Sequence, residues 1–174
     1  MKYLSITKAE EFIANALQAN NVPVADSKVV AQLMVKSDLV GADGHGIFRL
    51  PAYIKRIRAG GINLHPNIQI EREQGATALI NGDNALGHLV MNKAVEIAIE
   101  KVKQHSVCWI GSHHGNHSGA ASVYVRKLAE QGYIGIYMAV GNANHMAPWG
   151  GIDLIKTTNQ IPIDVPSSNS PIVL

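Results

Sequence analysis

The sequence predicts an α/β protein: a helical N-terminal unit, residues 1–62, followed by a mixed α/β region, residues 63–174. Three observations carry this. Apolar residues recur at helical spacing as far as Ile57. The pattern then switches to period-two alternation at Ile68-Gln69-Ile70-Glu71. Beyond it, helical segments alternate with short apolar runs. A chain of 174 residues suits one domain, or one and part of a second. A domain of this size buries roughly 70% of its unfolded surface and needs no disulfide staples.

Taken in order, residues 7–21 read as an amphipathic helix. Thr7 and Glu10 form a capping box, Phe12, Ile13 and Leu17 an apolar stripe, and Asn20-Asn21 with Pro23 a stop. A second helix runs from Ala25 to Val40 on Val29, Val30, Leu33, Met34 and Val40. Pro51 opens a third, which closes at Gly60-Gly61. Ala78-Leu79-Ile80 reads as a strand ending in an Asn81-Gly82-Asp83 turn. A long helix spans Leu86 to Gln104. Val107–Ile110 is a strand leading into a histidine-rich loop at 111–119. Another helix covers 120–131, and Tyr133–Val140 reads as a buried strand. The remainder is rich in proline and glycine. Pro171-Ile172-Val173-Leu174 resembles the start of a buried strand, so the chain is expected to be a fragment of something longer.

Composition excludes several classes. A formal net charge of +2 is too small to imply nucleic-acid binding, and Lys55-Arg56-Ile57-Arg58 reads as the solvated face of a short helix. Cys108, the single cysteine, sits in an apolar run and is expected to be a buried structural thiol. No apolar run is long enough to span a bilayer, and Met1–Ser5 lacks the apolar core of a signal peptide. The expectation is a soluble cytoplasmic protein.

The richest text is Asp43-Gly44-His45-Gly46-Ile47-Phe48-Arg49-Leu50-Pro51. The spacing of His45 and Arg49 directs both toward one pocket. His45 has two readings: a helix C-terminal histidine capped by glycines, or a ligand of substrate oxygen. Arg49 beside it becomes a carboxylate clamp, since its planar fork binds such groups bidentately. In Gly115-Asn116-His117-Ser118-Gly119, His117 lies near a helix start beginning at Ser118, where the dipole favours neutral imidazole and suits general acid/base work. Its other reading is a loop histidine capping that helix. Together these imply an enzyme for small anionic substrates. There is no Gly-x-Gly-x-x-Gly after a strand and no P-loop. His113 and His117 lack the glutamate of a zinc-protease helix, so no metal is expected. His65, His88 and His105 follow no pattern and are expected on the surface.

This text resembles the malate/L-lactate dehydrogenase family of non-Rossmann NAD(P)-dependent oxidoreductases. The matching segments are Ser37–Gly46, Arg49–Tyr53, Gly60–Ile62, Asn81–Gly87, Asn116–Gly119, Gly132–Ile136, Met146–Gly151 and Thr158-Asn159. The resemblance implies a homodimer with a mixed, largely antiparallel sheet for NAD or NADP. The substrate is a small 2-hydroxy or 2-keto acid. It implies His117 as proton acceptor and donor, with His45 as the second catalytic histidine. Arg49 holds the substrate carboxylate, and Asn142 lies near substrate and nicotinamide. Ser118, Gly119, Gly150, Gly151, Thr158 and Asn159 surround the cofactor. The chain departs at Gly44, where the family has serine or threonine, and at Gln160, where it has proline. It matches only the N-terminal half of the pattern. The expectation is therefore a hydroxy-acid oxidoreductase, or a truncated, inactive remnant that keeps dimerisation or ligand binding.

Overall fold

A computed structural model describes residues 4–141 and 146–174. The protein is mixed α/β, as the sequence predicts, and divides into two compact units, Met1–Val123 and Tyr124–Leu174.

The first unit opens with α1 (Ile6–Gln18) and α2 (Val24–Leu39). Ser5, not Thr7, caps α1: its extended backbone lets the hydroxyl accept from the Lys8 N–H at 3.4 Å. Ile13, Ala14 and Leu17 of α1 bury against Val30, Ala31, Met34 and Val35 of α2. Phe12, expected in the same stripe, is exposed. α3 (Leu50–Arg58), with Pro51 in its first turn, adds Leu50, Tyr53 and Ile57 to this core. Its cations face outward. Arg56 Nε donates to Asn116 Oδ1 and Arg58 Nε to Asn20 Oδ1, each at 2.8 Å.

β1 (Gln69–Gln74) pairs antiparallel with β2 (Thr77–Ala85), and β2 pairs parallel with β3 (Trp109–Gly115). The parallel pair is joined by the crossover helix α4 (Gly87–His105), whose Val90 and Ala94 pack on Ile80 and Ala85. Two expectations change here. Asn81-Gly82-Asp83 is a bulge inside β2 rather than its end. Asp83 and Asn84 take positive φ of 48° and 56°, and the Asp83 carboxylate accepts from Asn63 Nδ2 at 2.9 Å and Asn67 N at 2.8 Å. The stretch 111–115 is strand, not loop, and it carries His113, whose ring pairs with Glu71 on β1. Cys108 is half-buried and its Sγ donates to Ala98 O at 3.4 Å; burial pushes the thiol pKa up.

α5 (Ser122–Ala129) crosses the division between the units. In the second unit, β4 (Gly135–Ile136), β5 (Ile163–Val165) and β6 (Ile172–Val173) form a small antiparallel sheet. The buried strand expected over Tyr133–Val140 shortens to β4. Ile134, Ile136 and Met138 are exposed and Val140 is 94% exposed, because three strands this short give no cover for both faces. Ile172 and Leu174 are likewise exposed rather than buried. Among the described residues no helix is long and apolar enough to cross a membrane.

Candidate active site

His45 and Arg49 reach one place by a route the spacing alone did not describe. α2 ends at Leu39, and the chain then makes two 3-10 turns, Asp43–His45 and Ile47–Arg49, before α3. A carboxylate from the last turn of α2 holds this segment: Asp38 Oδ2 accepts the Ile47 N–H at 2.9 Å. Gly46 makes the approach possible, since a Cβ there would lie 1.8 Å from Asp38 Oδ1. His45 ends the first of these 3-10 turns, with Gly46 as its C-cap, rather than the α-helix α2. A helix C-terminus would raise its pKa; instead burial, reinforced by Arg49, lowers it. Its Nδ1 is buried with no hydrogen-bond partner among the described residues.

His117 joins them from the loop between β3 and α5. Asn116 seats that loop: its Nδ2 donates to Asn84 O, Asn84 Oδ1 and Ala85 O, each at 2.9 Å. Gly87 lets it lie close, as a Cβ there would stand 2.0 Å from Asn116 O. The helix expected to begin at Ser118 starts at Ser122, so the dipole is not what keeps His117 neutral. Its ring stacks on His45, centroids 5.3 Å apart and planes 14° from parallel. More than a third of the residue stays open to solvent. Burial of its walled side, then the charges of Arg49 and His45, lower its pKa to about 4. At neutral pH the ring is uncharged and accessible, the state in which it can accept a proton from a substrate hydroxyl.

Two members of the cluster escaped the sequence reading. Tyr53, on the inner face of α3 and 5% exposed, places its hydroxyl 2.7 Å from His117 Nδ1. A buried tyrosine needs a polar partner, so its position on the apolar stripe with Leu50 and Ile57 was the available signal. Burial raises its pKa, with Arg49 opposing. His88, expected on the surface, is fully buried and meets the Tyr53 ring edge-on, with centroids 5.3 Å apart. Neither of its nitrogens has a hydrogen-bond partner among the described residues. Burial, then His117 and His45, lower its pKa to about 3. His65 and His105 are exposed, as expected.

The residues expected around the cofactor divide between the units. Ser118 and Gly119 follow His117 in the first. Gly150, Gly151, Thr158 and Asn159 lie in the second. There Gly150 has φ +74° and the Gly151 N–H donates to Pro148 O at 2.9 Å, making a turn. Asn159 Oδ1 accepts from Gly141 N, and Thr158 Oγ1 from Gln160 Nε2, both at 3.0 Å. Within each unit these groups are small and uncharged: the Ser118 hydroxyl in the first, and the Thr158 hydroxyl and Asn159 carboxamide in the second, are of the kind that hydrogen-bond a nicotinamide carboxamide or ribose hydroxyls. Asn142 lies outside the described residues. Among those described, no three His, Cys, Asp or Glu groups are placed to hold a metal ion.

Residues 4–174 match the family described as Malate/L-lactate dehydrogenase. The chain is 38% identical over 174 residues to a malate dehydrogenase of Pyrococcus abyssi, covering 99% of this chain and 48% of that one. It is 39% identical over 167 residues to an L-sulfolactate dehydrogenase of Methanothermobacter thermautotrophicus, covering 95% and 49%. The structure of malate dehydrogenase from Pyrococcus horikoshii superposes with a TM-score of 0.90 at 36% identity, over 100% of this chain and 52% of that one. The chain thus spans about half the length of the curated relatives it matches. With that match running along the same text that builds the His45–Arg49–His117 cluster, this chain belongs to the malate/L-lactate dehydrogenase family of oxidoreductases.

Proposed function

We propose that these residues bind and exchange a proton with a small 2-hydroxy acid or its 2-keto partner in an NAD(P)-dependent dehydrogenase. The observation that supports this reading is the convergence of two imidazoles, a phenol and a guanidinium on one place from four separate segments. Arg49 holds the substrate carboxylate with its two-pronged fork. That fixes the adjacent oxygen-bearing carbon beside His117. In oxidation the neutral His117 ring takes the hydroxyl proton and becomes imidazolium; in reduction the ring first takes a proton from solvent, and that imidazolium gives it to the carbonyl oxygen. His45 lends its other ring nitrogen, Nε2, to the same substrate and walls one side of His117 from water. Ser118 and Gly119 are the residues of the first unit that would hold a nicotinamide cofactor, and Gly150, Gly151, Thr158 and Asn159 those of the second; the cofactor would supply hydride chemistry at the substrate's C2. In this reading the enzyme works as a cytoplasmic homodimer, and size-exclusion chromatography tests the assembly.

General acid–base catalysis of this kind contributes about 10²–10⁴ in rate. His117→Ala is therefore expected to lower kcat by at least about a hundredfold on whichever 2-hydroxy acid is turned over, while NADH binding, followed by its fluorescence, is retained. Turnover within about threefold of the parent would remove His117 from the proton-transfer role. No NADH binding by the unaltered chain would point instead to a remnant without catalysis.

A further inference from the structure

Two hydrogen bonds fall on the same ring nitrogen of His117. Tyr53 Oη lies 2.7 Å from Nδ1, and the Gly119 backbone nitrogen lies 3.3 Å from it. The two partners are not equivalent. A phenol can turn its hydrogen toward Nδ1 or accept one from it, whereas a backbone amide only donates. A proton on Nδ1 would therefore face the Gly119 N–H, hydrogen against hydrogen. With Nδ1 bare, both partners donate to it and the ring proton sits on Nε2.

Gly119 also lies close against the buried His88. Gly119 has φ +79°, and a Cβ on it would stand 2.6 Å from Nε2 of the buried His88. His88 also meets the Tyr53 ring edge-on. One fully buried side chain thus backs both donors. The charged and titratable groups around His117 are Arg49 and His45 from the turns before α3, Tyr53 from α3, and His88 from α4. Of these groups Tyr53 is the one that hydrogen-bonds to Nδ1, and burial keeps its phenol protonated.

We propose that Tyr53 and the Gly119 amide lock His117 in its Nε2–H tautomer, so that the nitrogen left to meet the substrate carries a hydrogen. This rests on His117 as the proton-exchange residue and deepens that reading: the resting site is set to donate a hydrogen bond to a carbonyl oxygen, the keto-acid form. To take a hydroxyl proton, the ring must first move its own proton to Nδ1. The Tyr53 hydroxyl then swings from donor to acceptor, and the Gly119 bond is lost. Tyr53 acts through His117 and is a positioning residue.

The test is a long-range ¹H–¹⁵N spectrum of the ¹⁵N-histidine-labelled 174-residue chain at neutral pH, with His117 assigned by its disappearance in His117→Gln. The expected result is a protonated Nε2 and an unprotonated Nδ1, in roughly tenfold or greater excess over the other tautomer. Tyr53→Phe keeps the ring packing and removes the stronger donor, so it should shift the two nitrogen signals toward each other as the tautomers mix. A protonated Nδ1 in the unaltered chain overturns the lock. A Tyr53→Phe spectrum identical to the parent's removes Tyr53 from it. The spectrum needs no turnover: if it shows the lock while His117→Ala stays active, the catalytic reading fails and the tautomer assignment stands.

Discussion

Replacing Gly46 with alanine sets one methyl group against the carboxylate that holds the His45–Arg49 segment. The added Cβ would lie 1.8 Å from Asp38 Oδ1, 2.1 Å from its Cγ and 2.4 Å from its Oδ2. No contact that short is tolerated, so the Asp38 side chain must leave. When it does, the Ile47 N–H loses its 2.9 Å acceptor. A hydrogen bond to a charged group contributes about 1.5–3 kcal/mol. Alanine returns about 0.4–1 kcal/mol by restricting the unfolded chain. The expected net loss is about 1–2 kcal/mol, a fall in Tm of about 2–8 °C for a chain of this length. Urea unfolding followed by circular dichroism measures it. Gly44→Ala is the control: nothing lies within 4 Å of a Cβ there, so its stability should stay within about 0.5 kcal/mol of the parent. Asp38→Ala should abolish the difference, because in its absence the methyl at 46 meets no carboxylate. If Gly46→Ala is as benign as Gly44→Ala, or if its cost adds fully to that of Asp38→Ala, the latch is not what holds this segment.

Other outcomes follow from the same geometry. Arg49→Lys keeps the charge but loses the two-pronged grip, so the Kd or KM for a 2-keto acid should rise about ten- to a hundredfold with kcat less affected; a KM unchanged within about twofold would show that Arg49 does not hold the carboxylate. The His88 pKa is depressed to about 3 by burial, His117 and His45, from 6.5 in the unfolded chain. Between those values the unfolded state binds the extra proton, so stability is greatest above pH 6.5 and falls by up to about 1.4 kcal/mol per pH unit on acidification toward pH 3. His88→Gln, which does not titrate there, should flatten the stability profile between pH 6.5 and 5 relative to the parent. Equal slopes would show that His88 is not protonated on unfolding.

Helix and turn chemistry acts between residues a few positions apart, so it could be read along the chain. That is why α1 to α4 stand close to where periodicity, Pro51 and the Gly60-Gly61 stop put them. The Gly-bracketed histidines and Arg49 were singled out from equally short-range text, as candidates for chemistry. Period-two alternation was a weaker guide. It stopped β2 at Asn81, because a bulge carrying two positive-φ residues reads locally as a turn. A continuous apolar run suggested a buried strand over Tyr133–Val140, although apolar text cannot say whether another layer covers it.

What surrounds His117 was decided elsewhere. The sequence by itself singled out His45 and His117 as candidates for moving a proton and Arg49 as a candidate for holding a carboxylate. Only the tertiary structure brought Tyr53 of α3 to His117 Nδ1 and sealed His88 of α4 behind both. Burial of a polar ring depends on segments far apart in the chain packing together, and nothing within one helical turn of either residue records which segments those are.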